Sequence, residues 1–355
     1  MPLPSVLLHD HLDGGLRPAT VLELADEQGY EGLPANNVAD LAAWFDQSDS
    51  GSLERYLESF EYTVAVMQTP QTIERVAYET VQDLAGDGVA YAELRFAPLL
   101  NTTRGLSVRE VIEAAASGMA MGGNETGMRW GLIIDSLRHI HDSEAIVKVA
   151  IELQHLGVVG FDIAGPEAGY PPEDHLAAFR LAREHGLRVT IHAGEAGGSD
   201  GVAYVASAMD LCGAERLGHA VELIHDCVVE DGEIVRLGPV AERVRNRRIA
   251  LEMCPASNLA TKLLHATSHP IGPMYRAGFN VTINTDNRLM SSTSMSAEFA
   301  FVKEHHDFTV DDLAVVTRRS LDAAFCSWDT KVELWEDVIA PAYAGAGATV
   351  ESEWR

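Results

Sequence analysis

The segment His9-Asp10-His11 sets two imidazoles two residues apart. In an extended strand such residues share a face, so both rings can point to one side. An H-x-H pair alone is most often incidental. It gains weight from Thr190-Ile191-His192-Ala193-Gly194-Glu195, Arg216-Leu217-Gly218-His219 and Thr282-Ile283-Asn284-Thr285-Asp286. Each of these closes a short apolar or β-branched run with a residue type that can ligate a metal. Three imidazoles and a carboxylate, His9, His11, His192 and Asp286, are suitable ligands for Zn²⁺. Singly, each reads as a hydrogen-bonded core histidine or a helix-capping aspartate. Four at equivalent strand ends favour a metal site. His139, His141, His305 and His306 lie in loop-like or helix-like surroundings and are expected at the surface.

These side chains need elements that bring them together. Eight strand candidates are visible: Val6–His9, Val89–Phe96, Arg129–Ile134, Val158–Ile163, Arg188–His192, Arg216–His219, Ile249–Met253 and Asn280–Thr285. Several are almost wholly apolar, as expected of parallel strands covered on both faces. Amphipathic stretches lie between them, including Thr72–Leu84, Val108–Met119, Glu144–Leu156 and Glu173–His185. Strand alternating with helix eight times predicts an α/β fold, a closed (β/α)₈ TIM barrel. A doubly wound open sheet is second, because no G-x-G-x-x-G turn follows the first strand. In a barrel the carboxyl ends of all strands share one rim, where the ligand-type residues would meet. The long segment 18–69 is expected to add helices over that mouth. Residues 1–341 are expected to form one catalytic domain, with 342–355 a frayed tail.

Composition narrows the class. The chain has 355 residues, 46% of them hydrophobic, and a formal net charge of −27. Such a charge repels nucleic-acid backbones and anionic membranes, so neither is expected as a partner. The four cysteines, Cys212, Cys227, Cys254 and Cys326, form no C-x-x-C pair. The first residues lack a basic and an apolar leader region, and no apolar run reaches the roughly 18 residues of a membrane helix. A cytoplasmic setting is expected.

With these motifs in view, the chain resembles the adenosine deaminase family of zinc-dependent amidohydrolase barrels. The matching residues are His9-x-His11-Leu12-Asp13-Gly14, Gly160-Phe161-Asp162-Ile163-Ala164-Gly165, His192-Ala193-Gly194-Glu195, Leu217-Gly218-His219, Ser257-Asn258 and Asn284-Thr285-Asp286. The resemblance implies one Zn²⁺ on His9, His11, His192 and Asp286, with Glu195 and His219 catalytic. Such an ion lowers the pKa of a water from about 15.7 to about 7. Glu195, three residues past a ligand, would donate a proton to purine N1. His219 would act as a base and orient the nucleophile. The substrate-binding residues would be His11, Asp13, Gly165 and Asn287. Asp13 would face the ribose 5′-hydroxyl and repel a phosphate, which makes the expected partner a purine nucleoside.

Some family features are absent. Asn287 and Arg288 stand where the family commonly has an aspartate and a proline, and Ala220 where a glycine commonly follows the histidine. An asparagine amide can donate to purine N7 without needing a proton of its own. Strand four ends Asp162-Ile163-Ala164 with no lysine to bridge two metals, so one metal is expected. Leu53, Tyr56, Leu57 and Phe60 share a helical face and fit either a pocket lid or plain packing. Arg95 is expected to pair with Asp162 inside the barrel. Free adenine or a 5′-modified nucleoside is the nearest alternative substrate. A purine-binding or metal-binding barrel without turnover is an alternative of another class.

Overall fold

Eight parallel strands follow one another around a barrel. They are β1 (Ser5–His11), β2 (Val89–Phe96), β3 (Arg129–Leu137), β4 (Val158–Ala164), β5 (Arg188–Ala193) and β6 (Arg216–His219). After an antiparallel pair, β7 (Cys227–Glu230) and β8 (Glu233–Leu237), come β9 (Ala250–Met253) and β10 (Asn280–Ile283). The barrel order is β1-β2-β3-β4-β5-β6-β9-β10. The ends meet through a parallel bridge between Asp10 and Asp286, where the His11 N–H donates to Asp286 O at 2.7 Å and the Asp286 N–H to His9 O at 2.9 Å. The expected (β/α)₈ barrel is therefore the fold of this chain. The computed structural model describes residues 2–196, 198–262 and 265–354.

The β7–β8 hairpin was not anticipated, although its turn was legible. Asp231 and Gly232 both have positive φ, 51° and 78°, as a type I′ hairpin turn requires. Between β1 and β2 run α1 (Pro18–Gln28), α2 (Val38–Phe45), α3 (Leu53–Glu58), α4 (Phe60–Val66) and α5 (Pro70–Gly86). The expected additional helices are thus present, and α3 and α4 stand at the barrel mouth. Thr69 opens α5 and Ser107 opens α6 (Val108–Thr126), each with a reciprocal capping box. These two helices pack closely at Gly118, where a β-carbon would lie 2.1 Å from Glu74 O.

The strands' outer faces bury Leu7, Leu94, Leu132 and Val189 under the helices. The interior is different. Glu93, Arg95, Asp162, Thr190, Arg216 and Glu252 fill it, all buried. Arg95 pairs with Asp162 at 2.6 Å, as the sequence led us to expect, and also with Glu252 at 2.8 Å. Arg216 pairs with Glu93 and Glu252, both at 2.6 Å. Charges so deeply buried persist only when paired, and these pairs tie four strands, β2, β4, β6 and β9, to one another beneath the mouth.

Beyond residue 341 the described residues make contacts with the body of the barrel. Trp354 is only 7% exposed, the Arg318 guanidinium lies 3.5 Å over its ring, and Trp335 Nε1 donates to Glu351 O at 2.9 Å. One expectation needs correction: His306 is buried rather than at the surface, with its ring 6.2 Å from that of His269, because the helix Met295–His306 turns it inward.

Candidate active site

The four ligand-type residues meet at the carboxyl rim. His9 and His11 end β1, His192 lies near the end of β5, and Asp286 follows β10. One ligand atom from each lies within 4.8 Å of the others. His11 Nε2 is 3.3 Å from His192 Nε2, and Asp286 Oδ1 is 3.3 Å from His11 Nε2 and 3.4 Å from His9 Nε2.

Their far sides are tied down. His9 Nδ1 bonds Glu252 Oε2 at 2.8 Å and His192 Nδ1 bonds Asp162 Oδ2 at 2.8 Å. Ser257 Oγ donates to Asp286 Oδ2 at 2.6 Å. A carboxylate behind an imidazole holds the proton at Nδ1 and turns the Nε2 lone pair forward. The buried His9 Nε2 has no hydrogen-bond partner. Acceptor atoms crowded this closely suit a divalent cation, so the residues fit a metal centre. Burial raises the cost of charge on Asp162, yet His192 and Arg95 hold its pKa down at about 2.

Glu195 sits beside this cluster, and its shape depends on a residue that the sequence did not single out. The Glu167 carboxylate accepts the backbone N–H groups of Gly194, Glu195 and Ala196 at 2.6, 2.9 and 2.6 Å. That grip folds the loop after β5 so that Glu195 turns into the site. Burial, then the charges of Asp286 and Glu167, push the Glu195 pKa well above the ordinary carboxyl range, against Lys262 and Arg138. Burial and these neighbouring charges thus favour the protonated form of the carboxyl. His219 Nε2 lies 3.6 Å from Glu195 Oε2. His219, Ala220 and Asp286 have φ of 61°, 53° and 59°, a left-handed cluster of non-glycine residues at the site. The conformation at Ala220 is one a glycine would adopt without strain.

A cavity of about 550 Å³ opens over these groups. His11, Asp13, Gly165, His192, Glu195, His219, Asp286 and Asn287 all line it, while His9 lies behind, fully buried. Its outer wall is apolar, with Leu53, Leu57, Phe60, Val64, Leu100 and Leu137. No lysine or arginine is among the described residues that line it. Burial, with Asp10 and Asp286 nearby, pushes the Asp13 pKa up to about 7. Gly165 has φ of 102°, and a β-carbon there would lie 3.3 Å from His139 Nδ1. Asn287 packs against Gly14, where a β-carbon would meet its Oδ1 at 2.2 Å.

The family profile described as adenosine deaminase matches residues 4–341. The chain belongs to the adenosine deaminase family. An adenosine deaminase of Mycobacterium ulcerans is 48% identical over 349 residues, covering 96% of this chain and 95% of that one. Among solved structures, the adenine deaminase of Arthrobacter aurescens superposes with a TM-score of 0.85 at 25% identity, covering 98% of this chain and all of that one. A B. ambifaria amidohydrolase with bound Zn gives a TM-score of 0.82 at 26% identity, covering 97% and 92%.

The sequence motifs of this family member supplied the residues at the strand ends. They did not supply Glu167, Glu252 or the role of Arg288, whose Nε donates to Asp10 Oδ2 at 2.9 Å beside Thr285 Oγ1 at 2.7 Å. The only sequence signal for Glu252 was a charged residue inside an otherwise apolar strand. Glu167, in a loop, carried none.

Proposed function

We propose that this protein hydrolyses adenosine, and 2′-deoxyadenosine, to the corresponding inosine and ammonia, using one zinc ion held by His9, His11, His192 and Asp286. The observation that carries this reading is the buried Glu195 carboxyl, its pKa raised by burial, beside that ligand cluster at the floor of a largely apolar pocket. Zinc is favoured by the imidazole-rich ligand set and by the Zn-bound B. ambifaria relative. When bound, the metal lowers the pKa of a water to about 7 and so supplies a nucleophile at neutral pH.

The side chains do the rest. Glu195 donates its proton to purine N1 as C6 is attacked, which keeps charge from building on the ring. The proton of the added C6 hydroxyl then passes to the amino nitrogen, the C6–N bond breaks as the C6 carbonyl forms, and ammonia leaves. The Gly165 backbone N–H and the Asn287 amide hold the ring edge, with Asn287 donating to N7. Asp13 hydrogen-bonds the ribose 5′-hydroxyl. A pocket lined by acidic groups, with no lysine or arginine among its described lining residues, disfavours a phosphate. Neutral nucleosides are therefore the substrates, in purine salvage, and four free cysteines suit a cytoplasmic setting.

Free adenine is the second reading, favoured by the A. aurescens superposition. The apolar wall and the 550 Å³ of space leave room for a ribose, which favours the nucleoside.

Ultraviolet-monitored deamination of adenosine, adenine and AMP by wild type and Glu195→Gln tests this. Adenosine should be the best substrate by about 100-fold or more in kcat/KM, as expected where one missing or repelled polar contact decides binding. Glu195→Gln should keep its metal and lose about 10²–10⁴ in kcat. Comparable turnover of AMP or adenine, or full activity in the variant, would overturn the reading.

A further inference from the structure

The His219 ring meets a buried amide on the side away from the pocket. Asn258 Nδ2 lies 3.1 Å from His219 Nδ1. At the other end of the amide, Asn258 Oδ1 lies 3.3 Å from His269 Nε2 and accepts the Cys254 N–H at 3.4 Å. His269 Nδ1 accepts the backbone N–H of Ile271 at 3.1 Å. His219, Asn258 and His269 are all fully buried.

The polarity of this chain follows from its last link. A backbone N–H only donates, so His269 Nδ1 carries a lone pair. Burial, with His306 nearby, pushes the His269 pKa down to about 3, so the ring is neutral and its proton sits on Nε2. That N–H donates to Asn258 Oδ1, and the Cys254 N–H selects the same oxygen. The amide is thereby oriented, and its Nδ2 donates to His219 Nδ1. A nitrogen that accepts cannot also carry the ring proton. The proton of neutral His219 is therefore on Nε2, an atom with no hydrogen-bond partner that faces Glu195.

We propose that Asn258 and His269 are positioning residues that lock His219 as the Nε2–H tautomer, so that His219 offers the reacting centre a hydrogen-bond donor rather than a base. A base would need a lone pair where this relay places a proton. A neutral donor at that position orients the attacking oxygen and stabilises the negative charge it carries. Neither Asn258 nor His269 lines the pocket. The functional consequence rests on the deaminase reading, whereas the tautomer itself does not.

The test is nitrogen-15 NMR of full-length, zinc-loaded protein labelled at histidine, without substrate. The His219 signal is identified by its loss in His219→Gln. In wild type it should show the proton on Nε2 and a bare Nδ1. Asn258→Asp presents an acceptor in place of the donor, so the proton should move to Nδ1. Its kcat should fall ~100-fold with KM changed by no more than ~3-fold, since a misplaced imidazole proton can cost as much as about 10⁴ in rate. His269→Gln can still donate to the amide oxygen and should keep the tautomer, whereas His269→Leu should not. A wild-type proton on Nδ1 would overturn the proposal. So would Asn258→Asp losing rate with the tautomer unchanged. If Asn258→Asp does not fold, the wild-type spectrum alone decides. Wild-type turnover of adenosine is measured separately, so the tautomer and the deaminase reading can fail independently.

Discussion

At the residue scale the site is a set of directed lone pairs and protons. Glu252 and Asp162 aim His9 and His192, Ser257 aims Asp286, and Glu167 aims Glu195. Glu167 matters most among the residues the motifs do not reveal. Glu167→Ala leaves three backbone N–H groups without their acceptor. It should cost about 2 kcal/mol or more, because an unsatisfied buried donor bears its full desolvation penalty. The loop would also lose its fixed form, and kcat should drop ~10-fold or more through misplacement of Glu195. Urea unfolding and steady-state kinetics check both, and unchanged kcat would separate Glu167 from catalysis. Glu298 gives a pH test away from the ligands. It is buried in the first turn of the helix Met295–His306, and burial lifts its pKa from 4.5 to about 8. The folded chain therefore binds a proton that the unfolded chain releases near pH 4.5. The stability it contributes is complete below that pH and is lost as pH rises through about 8. Glu298→Gln should flatten the decline of Tm across this window; an identical slope in both proteins would assign the decline elsewhere. Strand-end residues were legible because each motif carries its ligand at a fixed place. Glu167 and Glu252 were not, because a lone acidic residue gives no sign of which distant backbone or ring it will meet.

At the element scale, alternation of strand and helix made the barrel readable, and the strand cores were placed within a few residues. The interior was harder. Arg95 and Asp162 were paired correctly, yet the wider set with Glu93, Arg216 and Glu252 depends on four strands whose registers no local pattern specifies. The β7–β8 hairpin shows the reverse case, a strong Asp-Gly turn signal passed over because its strands are short and partly exposed. Leu53–Phe60 was expected as a single helical face. It instead spans two helices meeting at Ser59, and Leu53, Tyr56, Leu57 and Phe60 all line the cavity. Leu57 is only half-buried, so its truncation removes pocket wall more than core. Leu57→Ala should raise KM for adenosine by ~3-fold to ~10-fold, the scale of the 1–3 kcal/mol lost with a few apolar carbons, while kcat holds. A lowered Tm with unchanged KM would make α3 and α4 packing elements alone.

For the whole molecule, the formal charge of −27 and the acidic pocket rim of Glu54, Glu58 and Glu61 agree in favouring neutral or cationic ligands over anionic ones. Among the described residues no helix is long and apolar enough to cross a membrane. The ligand set joins the two ends of the barrel, because His9 and His11 come from β1 and Asp286 from the end of β10, already bridged to Asp10. Metal should therefore brace the closure of the barrel as well as serve chemistry. The most direct test follows adenosine turnover as zinc is added to the metal-free protein. Turnover should start near zero, rise in proportion to zinc and level off at one ion per chain. A plateau at two ions, or full turnover before any metal is added, would contradict the account.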